Sequence, residues 1–261
     1  MTTLLEIVCK KGIGYEDKTR ELKGFLGENN EILINKELFK SALSIKDAVD
    51  IRKKMVYLIL HHCIEYNSAI SEKKEKLSFQ DVMKILDETV NRFITPQYFY
   101  KLINFQDQSS KNTLLHQAVI SNNTEAIEAL LKYGANPLIK NEEGNISLDL
   151  AHGKTKKVLI ECMKDQAKSK KESARCNSLI GIIPGVFLGI GLGVGSALVP
   201  SMTIILCTLA VSALVAGIAV GVAIYFLSQD YKQAKSIEEA VNPQLSSVKY
   251  EKTVDNKAVL G

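Results

Sequence analysis

The sequence predicts an all-α protein, in which a helical N-terminal region leads into a short stack of paired helices and then into a transmembrane helical hairpin. No charged residue occurs from Cys176 to Gln229, and this run is longer than the roughly 20 residues that one spanning helix needs. Before it, apolar residues recur at the three- and four-residue spacing of one helix face. Thr113 and Ile146 begin two similar segments thirty-three positions apart, a period that indicates a tandem repeat of helix pairs.

These observations divide the chain into five parts. The predicted parts are residues 1–103, a helical N-terminal region; residues 104–163, with one full and one degenerate repeat; residues 164–176, a basic juxtamembrane linker; residues 177–228, the hairpin, with spans at 179–199 and 203–227; and residues 229–261, a polar tail. Beyond Pro243 we expect the tail to be disordered, because it has little apolar surface to bury.

The N-terminal region carries helix signals without a functional motif. Two segments, Ser44 to Asp47 and Ser78 to Asp81, have the Ser-x-x-Asp spacing of a helix start. We expect the aromatic residues around Phe99 to cap the repeat stack. The apolar positions that form one helical stripe are Val82, Ile85, Leu86, Val90 and Phe93, and those of a looser stripe are Val49, Val56, Ile59, Leu60 and Cys63.

The composition argues against several classes of protein. The net charge is only +4, and just four of the 33 basic residues are arginine, namely Arg20, Arg52, Arg92 and Arg175. Arginine supplies the planar donors that read bases and phosphates, so we expect no nucleic-acid partner. The five cysteines are odd in number and form no CxxC pair, which favours a reducing compartment over a disulfide framework.

The uncharged run predicts two antiparallel spans in a lipid bilayer, with a turn at Pro200 and Ser201. Basic residues precede the first span and follow the second, whereas the turn has no charge. The positive-inside rule therefore predicts an integral membrane protein with both termini on the cytosolic side. Neither span contains Asp, Glu, His, Lys or Arg, which argues against a proton relay or transporter site.

Glycines recur four positions apart in both spans, which places them on shared helix faces. Small residues allow two helix backbones to approach closely in a membrane. We expect this face to pack the two spans against each other, with self-association of the protein as the alternative. The glycines assigned to span packing are Gly181, Gly185, Gly189 and Gly193 in the first span and Gly217 and Gly221 in the second.

The repeat segment has a recognisable pattern. Thr113-Leu-Leu-His116-Gln-Ala opens the first unit, and Leu130-Leu-x-x-Gly134-Ala-Asn ends its second helix. Together they resemble the ankyrin-repeat family over roughly residues 104–163. Leu114 stands where that family has proline, and the second unit lacks both the Thr-Pro pair and the histidine. About three units are needed to bury a core, so we expect neighbouring helices to complete the stack.

The resemblance implies a protein-binding function. Ankyrin stacks bind partners through their turn tips and concave helix face, whereas a histidine at the position of His116 has a structural role. The chain as a whole resembles ankyrin-repeat proteins of intracellular bacteria, some of which act on host proteins. The positions that match the partner-binding surface are Gln117, Ser121 and Asn122, together with Lys140, Asn141, Glu142 and Glu143.

The leading interpretation is a membrane-anchored module that binds an unknown protein partner at a cytosolic membrane surface. The alternative is a protein that perturbs membranes or forms a pore through its glycine-rich spans. We expect no enzyme, cofactor or metal site. The four histidines make no triad or zinc motif, and His61 and His62 are adjacent, so on a helix they point about 100° apart.

Overall fold

The computed structural model describes residues 7, 15–28, 32–43, 49–67, 69–71, 75–93, 96–198 and 203–242. The chain forms two compact units, Met1–Cys162 and Met163–Gly261. The predicted cap at Ser44 and Asp47, the turn at Pro200 and Ser201, and the tail from Pro243 onward lie outside the described residues.

The first unit is built from short helices. They are α1 Tyr15–Glu28, α2 Lys36–Leu43, α3 Val49–Tyr66, α4 Phe79–Phe93, α5 Pro96–Ile103, α6 Leu114–Ile120, α7 Thr124–Lys132 and the beginning of α8, which spans Gly153–Leu198. Two strands, β1 Ile32–Leu33 and β2 Ala69–Ile70, pair in parallel with Ile32 opposite Ala69. The all-α prediction missed this pairing because two-residue strands are too short to show an alternating pattern.

The predicted stripes form the core of this unit. Ser78 and Asp81 make the expected cap of α4: the Asp81 N–H donates to Ser78 Oγ at 3.1 Å, and the Ser78 N–H donates to Asp81 Oδ2 at 3.3 Å. In α4, Val82, Leu86 and Val90 are buried. The core positions of α3 are Val56, Ile59, Leu60 and Cys63, all buried as predicted.

Helices of the N-terminal region complete the repeat stack, as expected from its small number of repeats. Helix α3 packs on α6, and α4 packs on α7, while α6 and α7 pack on each other. The α3–α6 and α4–α7 contacts therefore extend both helix layers of the repeat by one helix each. Helices α2 and α5 each contact both α3 and α4, which joins the added layers.

The second unit contains the rest of α8 with α9 Thr203–Leu227 and α10 Gln229–Val241. The basic segment predicted as a juxtamembrane linker, residues 164–176, is an uninterrupted part of α8. This segment has no glycine or proline, and the burial of Met163, Ala167 and Ala174 follows helical spacing. Within the polar tail, Ser228 begins α10 by accepting a hydrogen bond from the Tyr231 N–H at 3.2 Å.

The apolar run is helical where it is described. Helix α9 has the bounds predicted for the second span, and α8 continues through the first predicted span to Leu198. Among the described residues, one stretch is long and apolar enough to cross a membrane, Thr208–Leu227, and almost none of it is buried. The side chains of residues 180–207 lie outside the description, which includes Gly181, Gly185, Gly189 and Gly193.

Candidate partner-binding surface

The first repeat helix begins in a network around a buried histidine. Thr113 caps α6 and His116 closes a capping box with it. The Thr113 N–H donates to His116 Nδ1 at 3.2 Å, and Thr113 Oγ1 lies 2.8 Å from the same nitrogen. Because Nδ1 accepts the backbone N–H, the proton of the neutral ring is on Nε2, which donates to the Asn145 carbonyl at 3.1 Å. His116 therefore has the structural role predicted for it.

The surroundings of His116 keep its ring neutral. The side chain is fully buried, and this burial lowers its pKa, although the Asn145 carbonyl and the nearby Asp149 charge oppose the shift. A protonated Nδ1 would face the Thr113 N–H, and two donors would then oppose each other. The network thus ties the start of α6 to the loop around Asn145 and offers no catalytic base.

The repeat's turns use residues with left-handed backbone conformations. Gly134 ends α7 with φ of 89°, and the Ala135 N–H donates to the Leu130 carbonyl at 2.9 Å. Between the two helices, Asn122 has φ of 53°, a conformation that asparagine tolerates well. Asn123 then begins α7 by accepting from the Ala126 N–H at 3.0 Å.

The segment predicted as a degenerate second repeat has no helix at the position of the first repeat helix. The corresponding residues form turns, in which the Ile146 N–H donates to Asp149 Oδ2 at 2.9 Å. Its second helix is the beginning of α8, and Thr155 in this helix donates its hydroxyl to Asn122 Oδ1 at 2.9 Å. One complete helix pair is therefore followed by a turn and a single helix.

The predicted partner-binding residues lie in two places. Ser121 and Asn122 are exposed at the end of α6, and Gln117 is half-buried on the same helix; Lys140, Glu142 and Glu143 are exposed in the loop that follows the repeat. Asn141 is a structural residue, because its Oδ1 accepts N–H groups from Glu143 and Asn145 and its amide donates to Asn112 Oδ1 at 3.2 Å.

A groove that borders Gln117 had no signal in the sequence. This cavity of about 320 Å³ runs along α3, between α1 and the repeat. Its walls include Tyr57, His61 and Glu65, which lie at four-residue spacing on α3, and Asp107 from the loop before α6. No spacing rule connects the α3 residues with Asp107 or Gln117, because Tyr57 and Gln117 meet only after α3 packs on α6.

In the second unit, both described span-packing glycines are buried. Gly217 and Gly221 are buried in α9, whereas Ile218, Val220 and Val222 beside them are exposed. Gly221 also borders a cavity whose other wall includes Ser178 and Leu179 of α8. The role of Gly217 and Gly221 in span packing stays a prediction.

Two ion pairs join the segments on either side of the apolar run. Lys171 of α8 contacts Glu238 of α10 at 2.6 Å, and Lys170 lies 3.7 Å from Asp230. The side-chain hydrogen bond to Glu238 raises the pKa of Lys171, and the Glu238 charge adds to the shift, while burial opposes it. From the sequence these lysines were interpreted as orientation signals, and their partners, more than fifty residues away, were not predicted.

Comparisons with known proteins identify the repeat. Residues 110–142 match the family model of the ankyrin repeat. A human protein, palmitoyltransferase ZDHHC17, is 37% identical over 68 residues, which is 26% of this chain and 11% of that protein. The chain therefore spans only a small part of the length of this curated relative. No solved structure matches.

Proposed function

We propose that this protein is a non-enzymatic, membrane-anchored ankyrin-repeat protein that binds a protein partner at a cytosolic membrane surface. The ankyrin repeat at residues 110–142 carries the binding part of this proposal. The exposed end of α6 and the loop from Lys140 to Glu143 offer the contact surface. The apolar helix α9 supplies the membrane part.

The rigidity of this surface supports a recognition role. Asn123 caps α7 and also donates its side-chain amide to the Ile64 carbonyl at the end of α3, at 3.0 Å. Gln106 donates to the Lys140 carbonyl at 2.9 Å, and the Glu142 N–H donates to the Ser110 carbonyl at 3.0 Å. Loops held in this way lose little entropy when a partner binds.

A two-span anchor is the finer part of the proposal. Lys170 and Lys171 precede the apolar run, whereas Asp230 and Glu238 follow it. Ion pairs between the two flanks form only if both flanks lie on the same side of the bilayer. A chain that enters and leaves on one side crosses an even number of times, and the run is long enough for two crossings. The basic flanks then place both ends on the cytosolic side.

The buried glycines favour packing within the chain over pore formation. Gly217 and Gly221 are buried, and small residues on one helix face allow a neighbouring span of the same chain to approach closely. We therefore retain the anchor as the function of the spans.

Two experiments test the proposal. In sealed vesicles with the cytosolic face outward, a membrane-impermeant maleimide should label both the native Cys176 and a cysteine placed by Lys232→Cys. Labelling of only one of the two would exclude the two-span anchor. For partner binding, a photo-crosslinking amino acid at Ser121 or Glu142 should yield one shared adduct in cells, whereas the same group at Glu128, exposed on α7, should not. Failure of both positions to yield an adduct would exclude binding by this surface.

A further inference from the structure

The groove along α3 has the dimensions of a site for a single side chain or small ligand. Tyr57 and Glu65 are eight positions apart on α3, so the groove extends about 12 Å along the helix. Its volume of about 320 Å³ lies at the lower end of the range of small-ligand sites, about 300–1,000 Å³. Gln117 at its edge is one of the predicted partner-binding residues, so the groove adjoins the proposed contact surface.

Carboxylates outnumber fixed positive charges among the described residues that line the groove. Glu65 and Asp107 line it together with Lys23, so two carboxylates stand against one ammonium group. Burial raises the pKa of Asp107, but hydrogen bonds from Ser109 and Ser110 outweigh it, so the pKa lies below its usual value and the carboxylate is ionised. The chain as a whole carries +4, so the groove is a local exception that attracts cations.

Aromatic rings supply the second element of a cation site. Tyr57 stacks on His61 with ring centroids 5.9 Å apart, and its hydroxyl donates to the Asn112 carbonyl at 3.3 Å. Burial raises the pKa of Tyr57 to about 12, which keeps this hydroxyl a donor at physiological pH. Tyr66 is 55% exposed at the groove and lies 4.8 Å from the His62 ring. The exposed face of Tyr66 attracts a cation through the ring quadrupole, whereas Tyr57 is buried and its face is stacked on His61.

Glu65 is placed to pair with an incoming cation. Its side chain is 43% exposed, and its carboxylate lies 3.6 Å from His61 Nδ1. The negative charge of Glu65, and then its hydrogen bond, raise the pKa of the Tyr66 hydroxyl, so the phenol and the carboxylate are adjacent. An accessible carboxylate beside an exposed aromatic ring matches the two contacts that a lysine or arginine side chain makes best.

We propose that the α3 groove binds a lysine or arginine side chain from a basic segment of the protein partner. This inference rests on the proposed function, because it assumes that the adjoining repeat surface holds a protein. It names the chemistry of that partner: a polypeptide with an exposed basic side chain, which enters the groove between Tyr66, Glu65 and Asp107.

The test uses the full-length protein in nanodiscs of neutral phosphatidylcholine, so that the lipid does not attract the probe. The probes are two fluorescein-labelled peptides, one of four Lys-Gly units and one of four Glu-Gly units, read by fluorescence anisotropy. We expect the lysine peptide to bind and the glutamate peptide not to bind. Equal binding of the two peptides, or no binding of the lysine peptide, would overturn the inference.

Matched variants locate the binding. Glu65→Gln should weaken the lysine peptide about tenfold, because a charged hydrogen bond contributes about 1.5 kcal/mol or more. Tyr66→Leu should weaken it about threefold. Glu128→Gln makes the same charge change on an exposed site outside the groove and should change affinity less than about twofold. Equal effects of Glu65→Gln and Glu128→Gln would overturn the assignment of the groove.

The photo-crosslinking group at Ser121 separates the two proposals. If Glu65→Gln leaves the partner adduct undiminished, the groove inference fails and the proposed function stands. If the otherwise unaltered chain gives no adduct, the proposed function fails, and the peptide measurement still decides on the groove. Unchanged hydrogen-exchange protection of α6 in Glu65→Gln would show that the variant is folded.

Discussion

Replacing His116 should loosen the repeat more than replacing an exposed histidine does. His116→Ala removes the Nε2–H donor from the Asn145 carbonyl and leaves the buried Thr113 N–H without its acceptor. The lost hydrogen bond contributes about 1 kcal/mol, and a buried unsatisfied group adds about 1–3 kcal/mol. The opening free energy of the loop around Asn145 should therefore fall by about 2–4 kcal/mol.

Hydrogen exchange measured by mass spectrometry reports this change where it occurs. A loss of about 2 kcal/mol corresponds to about 30-fold faster exchange, since each 1.4 kcal/mol is a factor of ten. The affected amides should be those of the Asn141–Ile146 loop, in which Asn145 donates to Asn141 Oδ1. His152→Ala is the matched control, because His152 is exposed and should change protection by less than about 0.5 kcal/mol.

A third variant divides the effect between the two bonds. Glutamine at this helix position makes a capping box, so His116→Gln should restore the contact to the Thr113 N–H but not the bond to Asn145. The opening free energy of the loop in His116→Gln should therefore lie between those of the parent and His116→Ala. Equal exchange in His116→Ala and His152→Ala would refute the reasoning that buried hydrogen bonds of His116 hold the loop.

Three further predictions concern the protonation of His116, the conformation of two glycines and the Lys171–Glu238 ion pair. The pKa of His116 is lowered, so its contribution to stability is complete above about pH 6.5, the unfolded value, and is lost as pH falls through the folded pKa. Over this pH range, hydrogen exchange of the Asn141–Ile146 loop, corrected for intrinsic rates, should accelerate in the parent protein and not in His116→Gln. Gly134→Ala should lower the free energy of unfolding by about 1 kcal/mol because φ is positive, whereas Gly24→Ala, in open space within α1, should raise it by about 0.5–1 kcal/mol. Denaturation followed by circular dichroism measures both changes, and changes of the same sign would contradict the argument. Lys171→Gln should lower the free energy of unfolding by less than about 1 kcal/mol at neutral pH, because the partner Glu238 side chain is 44% exposed and water screens the pair. The pKa of Lys171 is raised, so its contribution to stability is complete below about pH 10.5, the unfolded value, and is lost as pH rises through the folded pKa. A larger loss in thermal unfolding at neutral pH would show that the pair is stronger than its exposure implies.

The repeat was predictable because its backbone geometry requires particular residues. Thr113 caps a helix, Gly134 adopts a positive φ, and His116 fits a defined network. Each requirement is local, so it appears as a short motif in the sequence. The match of residues 110–142 to the ankyrin repeat confirms that one repeat is present, and the degenerate second unit stays a prediction.

The groove and the ion pairs were not predictable, because the residues that form them are far apart in the sequence. Asp107 and Tyr57 are fifty positions apart, and Lys171 and Glu238 are farther apart still. Their proximity depends on how whole helices pack, which no short motif encodes. The role of the predicted surface residues in partner binding stays a prediction, although the contacts of Asn141 show that this residue holds its own loop together.

The sequence contains a weaker signal for helix α10, which we described from its composition only as part of a polar tail. Ser228 is a favourable first cap, and Ala234 and Ile237, three positions apart, are both buried. Its apolar face is narrow, so the polar composition of the tail concealed it. In the segment predicted as the second repeat, Asp149 accepts the Ile146 N–H in a turn, and this bond competes with helix formation there.

The two hydrogen bonds of Asn123 have a consequence for how the first unit opens. Asn123 caps α7 with its Oδ1 and donates its side-chain amide to the Ile64 carbonyl at the end of α3, so α3 does not separate from α7 without breaking the bond to Ile64. We therefore expect the repeat and α3 to open together, with their amides exchanging as one cooperative unit. A fragment cut at the start of the repeat would lose the layer that α3 and α4 provide, and measurements on the repeat therefore need a chain that retains both helices.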